Sequence, residues 1–177
     1  MVGVIGRRQF LRLAAAACPL AILPRSAAAS ALVEVPASLE GPSLDIPDLG
    51  GKLHRLADYR GKVTVVAFWA AWCPPCRAEI PSLARLSRQL PAERFAILAV
   101  NLGDTSERIG RFLDQIDDDG LSVLTDLASS LASAWHIRGL PVSYVLDPAG
   151  QVRYAVMGSL EWDSPAIRDQ LLKLGAS

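Results

Sequence analysis

The chain has 177 residues, 51% of them hydrophobic and 20% charged, which suits one soluble domain with a sizeable core and excludes a disordered or fibrous protein. Its formal charge is zero, and once the four arginines of residues 1–29 are set aside, 14 basic residues face 18 acidic ones. That balance gives no support for nucleic-acid binding, which needs a clustered basic surface.

At the N-terminus Arg7, Arg8 and Arg12 precede an alanine-rich apolar stretch from Leu13 to Leu23, followed by Arg25 and the small residues Ala27, Ala28 and Ala29. A basic, apolar, small-residue order marks an export signal. Residues 1–29 are therefore expected to be a signal peptide cleaved near Ala29, and residues 30–177 the mature domain. The apolar part is shorter than the ~20 residues that span a bilayer, so no stable membrane span is expected after its removal. The string RRQFLR resembles a twin-arginine signal, with Gly6 where that family has Ser or Thr. An ordinary secretory signal is the other reading, and either route ends outside the cytoplasm, in the periplasm or a similar space. Cys18 has Ala15, not a bulky aliphatic residue, three positions earlier, which argues against lipid attachment.

From Ala31 to Arg60, Pro36, Gly41-Pro42, Pro47 and Gly50-Gly51 favour turns. A short hairpin is expected, with arms at 43–49 and 52–56 and positive φ angles at Gly50 and Gly51 in a two-residue turn. Lys62 to Trp69 is β-branched, aromatic and apolar on both faces, as a central strand buried on both sides would be. After the cysteines a helix continues through Ser82 to Leu90, with Leu83, Leu86 and Leu90 on one face. Phe95 to Leu102 is a second buried strand, and strand, helix, strand makes a right-handed βαβ unit. Helices at 107–116 and 127–135 flank a short strand at 121–125. Strands at 142–146 and 151–156 meet at the turn Asp147-Pro148-Ala149-Gly150. In the second of these, Val152, Tyr154 and Val156 should share one covered face. A helix from Ser164 to Leu174, capped by Asp163 or Ser164, closes the domain.

Without the leader, only Cys73 and Cys76 remain, and three residues apart they make a poor staple across a domain. No second pair or nearby histidines complete a four-ligand zinc pattern, which leaves a catalytic dithiol. A thiolate attacks a disulfide, so a redox cysteine needs its pKa pulled below ~8.5. Cys73 follows a strand and starts a helix, where free N–H groups and the helix dipole favour negative charge. Cys73 is read as the nucleophile and Cys76, one turn on, as the resolving thiol.

The segment FWAAWCPPCRAEIPSL resembles the active site of the thioredoxin superfamily, specifically the exported TlpA-like thiol-disulfide oxidoreductases that include cytochrome c maturation reductases. The likeness runs from about Leu44 to the last helix. It implies an α/β thioredoxin-like fold: a mixed central sheet with helices on both faces, an N-terminal β-hairpin, and a helix and strand inserted between the CxxC helix and the cis-proline strand. Pro81 matches the family's helix-kinking proline. Gly139-Leu140-Pro141 matches the segment carrying its cis-proline, so Pro141 should face the cysteines and Leu140 to Pro141 should align an extended substrate.

The chain also departs from the family. Ala67 stands where thioredoxins have a buried Asp and many TlpA-like proteins an Asn, so proton transfer at Cys76 needs another group or water. No Glu lies between the cysteines. Glu79, three residues after Cys76, is a candidate base; the plainer reading is that it complements the helix N-terminus or pairs with an arginine. Neither Pro74 nor Pro75 has an N–H, so the Cys73 thiolate loses a donor, which points to a less depressed pKa and a reducing couple.

Trp69 is read as core, and Trp72 as a shield for the couple and a contact for partners. Trp135, Trp162 and Tyr144 are read as core, His54 as structural and His136 as a surface or helix-end residue. The leading expectation is an extracytoplasmic protein-disulfide reductase with no cofactor and no metal. Its partners would be oxidised exported proteins, including cytochrome or copper-site assembly clients, and a membrane thiol reductant. The rival is a copper-binding metallochaperone-like or holdase module on the same fold. Peroxiredoxin chemistry is disfavoured because its PxxxTxxC pattern would place Pro at 66 and Thr at 70, where this chain has Val66 and Ala70.

Overall fold

The computed structural model describes residues 32–35 and 41–176; the expected leader and Cys18 lie outside them. Strand β1 (Val33–Glu34) and a hairpin of β2 (Asp45–Pro47) and β3 (Leu53–Arg55) precede β4 (Val63–Trp69). Helix α1 (Pro74–Gln89), β5 (Phe95–Leu102), α2 (Ser106–Leu113) and β6 (Ser122–Asp126) follow. Helix α3 (Leu131–Ala134), β7 (Val142–Leu146), β8 (Val152–Met157) and α4 (Pro165–Leu174) complete the order. The main sheet runs β1-β8-β7-β4-β5-β6, with β4, β5 and β6 parallel and β7, β8 and β1 joined antiparallel. This is the mixed thioredoxin-like sheet expected from the sequence. No described helix is long and apolar enough to cross a membrane.

Every residue of β4 is buried because both faces of the sheet are covered. Val63, Val65, Ala67 and Trp69 enter a core built with Ile80, Leu83 and Leu86 of α1, Ile109 and Phe112 of α2, and Ile167 and Leu171 of α4. Val66 and Phe68 enter a second core with Leu44, Ile46, Leu124 and Trp135. Parallel strands require crossovers, and two right-handed crossovers stepping the same way across the sheet put α1 and α2 on one face. The hairpin and α3 cover the other. Burial of each large apolar side chain contributes roughly 1.5–3 kcal/mol, so β4 is fixed firmly from both sides.

Five local features differ from the expectation. In the hairpin only Gly51 has a positive φ, 85°. The turn is closed by Gly51 N–H to Asp48 O at 3.0 Å, and the Asp48 carboxylate accepts from the N–H groups of Gly50 at 2.9 Å and Lys52 at 3.0 Å. A side-chain acceptor thus does what a second left-handed glycine would have done, in the longer turn with one left-handed residue.

The helix expected at 127–135 shrinks to Leu131–Ala134. The Asp126 carboxylate accepts from Ser130 N–H at 2.9 Å and Leu131 N–H at 2.8 Å, and Ser129 takes a φ of 53°. The chain therefore turns through 127–130 before any helix begins. Helix α2 starts a residue early, at Ser106, because the Thr105 side chain accepts from Arg108 N–H at 3.3 Å. It ends at Leu113, and tighter bonds, Gln115 N–H to Phe112 O and Ile116 N–H to Leu113 O, both 3.0 Å, replace its expected last turn.

In β8, Val145 pairs with Tyr154 but Leu146 pairs with Val152, a bulge at Arg153. The extra residue turns Val152 into the second core while Tyr154 and Val156 stay with the first. The single covered face read from the alternation is therefore split between both cores. At α4 the cap position is Ser164, whose side chain makes no capping bond, while Asp163 binds Arg85 at 2.6 Å.

Candidate active site at the start of the first helix

Strand β4 delivers the chain through Ala70, Ala71 and Trp72 to Cys73, which occupies the cap position of α1. Cys73 N–H donates to Ala70 O at 3.2 Å, and Arg77 N–H donates to Cys73 O at 3.1 Å as the first helical bond. Pro74 and Pro75 fill the first two helical positions, where a missing N–H costs the helix nothing. Cys76 N–H, the next donor along, points at Cys73 Sγ from 3.3 Å. The two cysteines are joined by a disulfide, with their Cα atoms 5.3 Å apart. Cys76 is fully enclosed, whereas Cys73, at the helix cap, is buried but keeps 3% of its surface. Trp72, beside it, is 60% exposed, and Trp69 is buried against Phe112.

The Leu140–Pro141 bond is cis, as the resemblance implied. Phe68 faces Val142 across the β4–β7 ladder, so Pro141 stands opposite Trp69, at the end of β4 that leads into the cysteine loop. Gly158 N–H donates to Pro141 O at 2.9 Å and ties the end of β8 to this edge.

Glu79 lies on α1 one turn after Cys76 and is buried, 3% exposed. Its partner is the Trp162 indole N–H rather than an arginine. Burial pushes its carboxyl up to about 7, against hydrogen bonds from Trp162 and the Leu160 backbone. A carboxyl so placed exchanges its proton near neutral pH.

Behind the loop stands a polar bracket that is not among the sequence expectations. Asp104 is buried and accepts through Oδ2 from Ala71 N–H at 2.6 Å and from the Asn101 amide at 3.1 Å; its Oδ1 pairs with Arg108 Nε at 3.2 Å. The signal was present: Asn101 is the one polar residue in the apolar run FAILAVNL, and Asp104 follows a glycine directly after it. Trp162 is core, as expected, and its N–H also serves Glu79.

His136 is exposed just beyond α3 with a φ of 51°. His54 is held between Asp48, at 2.9 Å, and the Tyr59 hydroxyl. Among the described residues no three His, Cys, Asp or Glu side chains gather where they could hold a metal ion.

Comparison with known proteins agrees with this geometry. The AhpC/TSA family matches residues 38–155. The thiol-disulfide oxidoreductase ResA of Geobacillus kaustophilus is 31% identical over 121 residues, 67% of this chain and 68% of that protein. The thiol:disulfide interchange protein DsbE of Pseudomonas aeruginosa is 31% identical over 146 residues, 80% of this chain and 78% of that protein. A Chlorobium tepidum structure, provisionally designated a thiol:disulfide interchange protein DsbE, superimposes with a TM-score of 0.70 at 27% identity, over 82% of this chain and 99% of that one. With the WCPPC turn at the mouth of a thioredoxin-like sheet, the chain belongs to the AhpC/TSA family and, within it, to the thiol-disulfide oxidoreductases.

Proposed function

We propose that the protein reduces disulfides in exported proteins outside the cytoplasm, with Cys73 as nucleophile and Cys76 as resolving thiol. The observation that carries this reading is the Cys73–Cys76 disulfide at a helix start, with Cys76 enclosed and a cis-proline edge beside it. In the dithiol state the Cys73 thiolate attacks one sulfur of a client disulfide. That bond breaks, the first client thiolate leaves, and a mixed disulfide forms. Cys76 gives its proton to Glu79, directly or through water, and attacks Cys73 Sγ. The second client thiolate is released and the protein is left as the Cys73–Cys76 disulfide, two electrons having passed to the client. A membrane dithiol reductant returns them.

Trp72 contributes an exposed contact surface for clients, and the backbone of Leu140 to Pro141 aligns them in extended form. With Pro74 and Pro75 lacking N–H groups, Cys76 N–H is the helix-end donor left to the Cys73 sulfur, which favours a reducing couple. The arginine-rich leader supports the extracytoplasmic setting, with cytochrome c maturation or copper-site assembly proteins as clients. A Cys76→Ser variant expressed with its leader tests the reading. Exported proteins should accumulate as mixed disulfides through Cys73; failure to trap any, together with no reduction of a disulfide peptide by the wild-type dithiol, would overturn it.

A further inference from the structure

Arg77, Arg108 and Arg111 converge on one cavity of about 370 Å3, whose wall also includes Ala71, Phe112 and Gln115 but no acidic side chain. Two of the lining residues flank the redox couple in the chain: Ala71 lies two residues before Cys73, and Arg77 directly follows Cys76. Among the described residues Arg77 pairs with no carboxylate. Its guanidinium stacks over the Phe112 ring, 4.8 Å from the centroid, and donates to Gln115 Oε1 at 3.2 Å. Arg108 is 52% exposed and uses Nε on Asp104; Arg111 is 68% exposed and stands a loose 3.6 Å from Glu107. A guanidinium has five N–H donors, so all three keep donors for another acceptor.

Topology sets where a client would meet them. Strand β4 carries the cysteine loop, β7 with its cis-proline is its neighbour on one side, and β5, which leads into α2, is its neighbour on the other. An extended segment laid on Leu140 and Pro141 and crossing Cys73 therefore continues towards α2 and the arginines.

We propose that this notch binds an aspartate or glutamate side chain of the client, placed within about four residues of the target cysteine, a reach of ~13 Å in an extended chain. It makes Arg77 and Arg111 specificity-determining residues, with guanidinium to carboxylate as the recognition chemistry. The inference rests on the protein-disulfide reductase reading given above.

Two disulfide peptides that differ only by Glu against Gln at the flanking positions test it, using the mature wild-type dithiol and the double variant Arg77→Gln/Arg111→Gln. The wild type should favour the acidic peptide roughly 10-fold in kcat/KM at low salt, and raising salt to about 0.5 M should shrink that ratio. The double variant should bring the ratio to about 1 through loss of rate on the acidic peptide. Equal wild-type rates on the two peptides, or an unchanged ratio in the double variant, would refute the notch. Reduction of neither peptide would sink the reductase reading and the notch with it, whereas reduction without preference sinks the notch alone.

Discussion

The indole N–H of Trp162 donates to the carboxylate of Glu79, 83 residues away in sequence, and both side chains are buried beside the helix turn that carries Cys76. Burial strips the carboxyl of water, and although the Trp162 N–H and the Leu160 backbone both favour its charged form, desolvation outweighs them and the site favours the neutral acid. Its consequence is a slope of stability with pH. Folded Glu79 keeps its proton up to about 7, above the usual 4.5 that the unfolded chain retains. Below that lower value both states are protonated and the penalty for ionising the buried carboxyl is absent. Between the two values the folded state holds the extra proton, so stability falls as pH rises, and above about 7 the whole cost, on the order of 3 kcal/mol, is present. Glu79→Gln keeps an acceptor for Trp162 and should flatten this slope. Urea melts of the oxidised proteins at about pH 5 and about pH 8 read the difference; identical slopes would show that the carboxyl ionises normally.

Asp104→Ala should lower stability by about 3 kcal/mol. It strands the Ala71 N–H and the Asn101 amide in a buried place and leaves Arg108 without its acid. Asp104→Asn, which keeps an oxygen for Ala71, should recover part of the loss. Chemical denaturation of both variants is the check, and a cost under ~1 kcal/mol for the alanine variant would mean that water replaces the carboxylate.

Restoring an N–H at the second helical position with Pro75→Ala should make the couple more oxidising. One additional charge-assisted donor to the Cys73 thiolate, about 1.5 kcal/mol, corresponds to a rise in potential on the order of 30 mV. Equilibration against glutathione measures it. A fall in potential would contradict the idea that the two prolines withhold donors from the sulfur.

On the second face, Phe68 sits between Trp135, 5.2 Å between centroids, and Tyr144, 6.3 Å. Phe68→Ala should cost ~3–5 kcal/mol by leaving a cavity. Tyr144→Phe removes only the hydroxyl that donates to Trp135 O at 2.7 Å and should cost about 1 kcal/mol. Thermal melts would separate the two, and equal losses would mean that the hydroxyl, not the ring packing, holds this corner.

Strands β4 and β5 were readable from sequence because continuous apolar runs of their length have few alternatives, and both start within a residue of the expected place. The redox pair was equally plain, since two cysteines three apart between a strand and a helix are bound to local geometry, whereas the cis-proline was reached only through the family resemblance of Gly139-Leu140-Pro141. What escaped was set by long-range partners. Among the described strands the two-residue β1 pairs only with β8, and nothing local marks it. The bulge at Arg153 depends on register with β7, and the short α3 on the carboxylate of Asp126. Likewise Trp162 reaches the site from the loop between β8 and α4, and Asp104 from the loop after β5, and which groups they bind is set by the fold rather than by their neighbours in sequence.

The bond from Cys76 N–H to Cys73 Sγ gives the site a further property. With prolines in both positions between them, the attacking sulfur takes its helix-end hydrogen bond from the main chain of the very residue whose thiol later attacks it and releases the client. The two cysteines thus cannot be adjusted separately: a shift of backbone at Cys76 alters the readiness of Cys73 in the same stroke. A dipeptide with its own N–H groups would break that dependence, letting the nucleophile drift in character while the resolving thiol stayed put. In this chain the pair must change together or not at all.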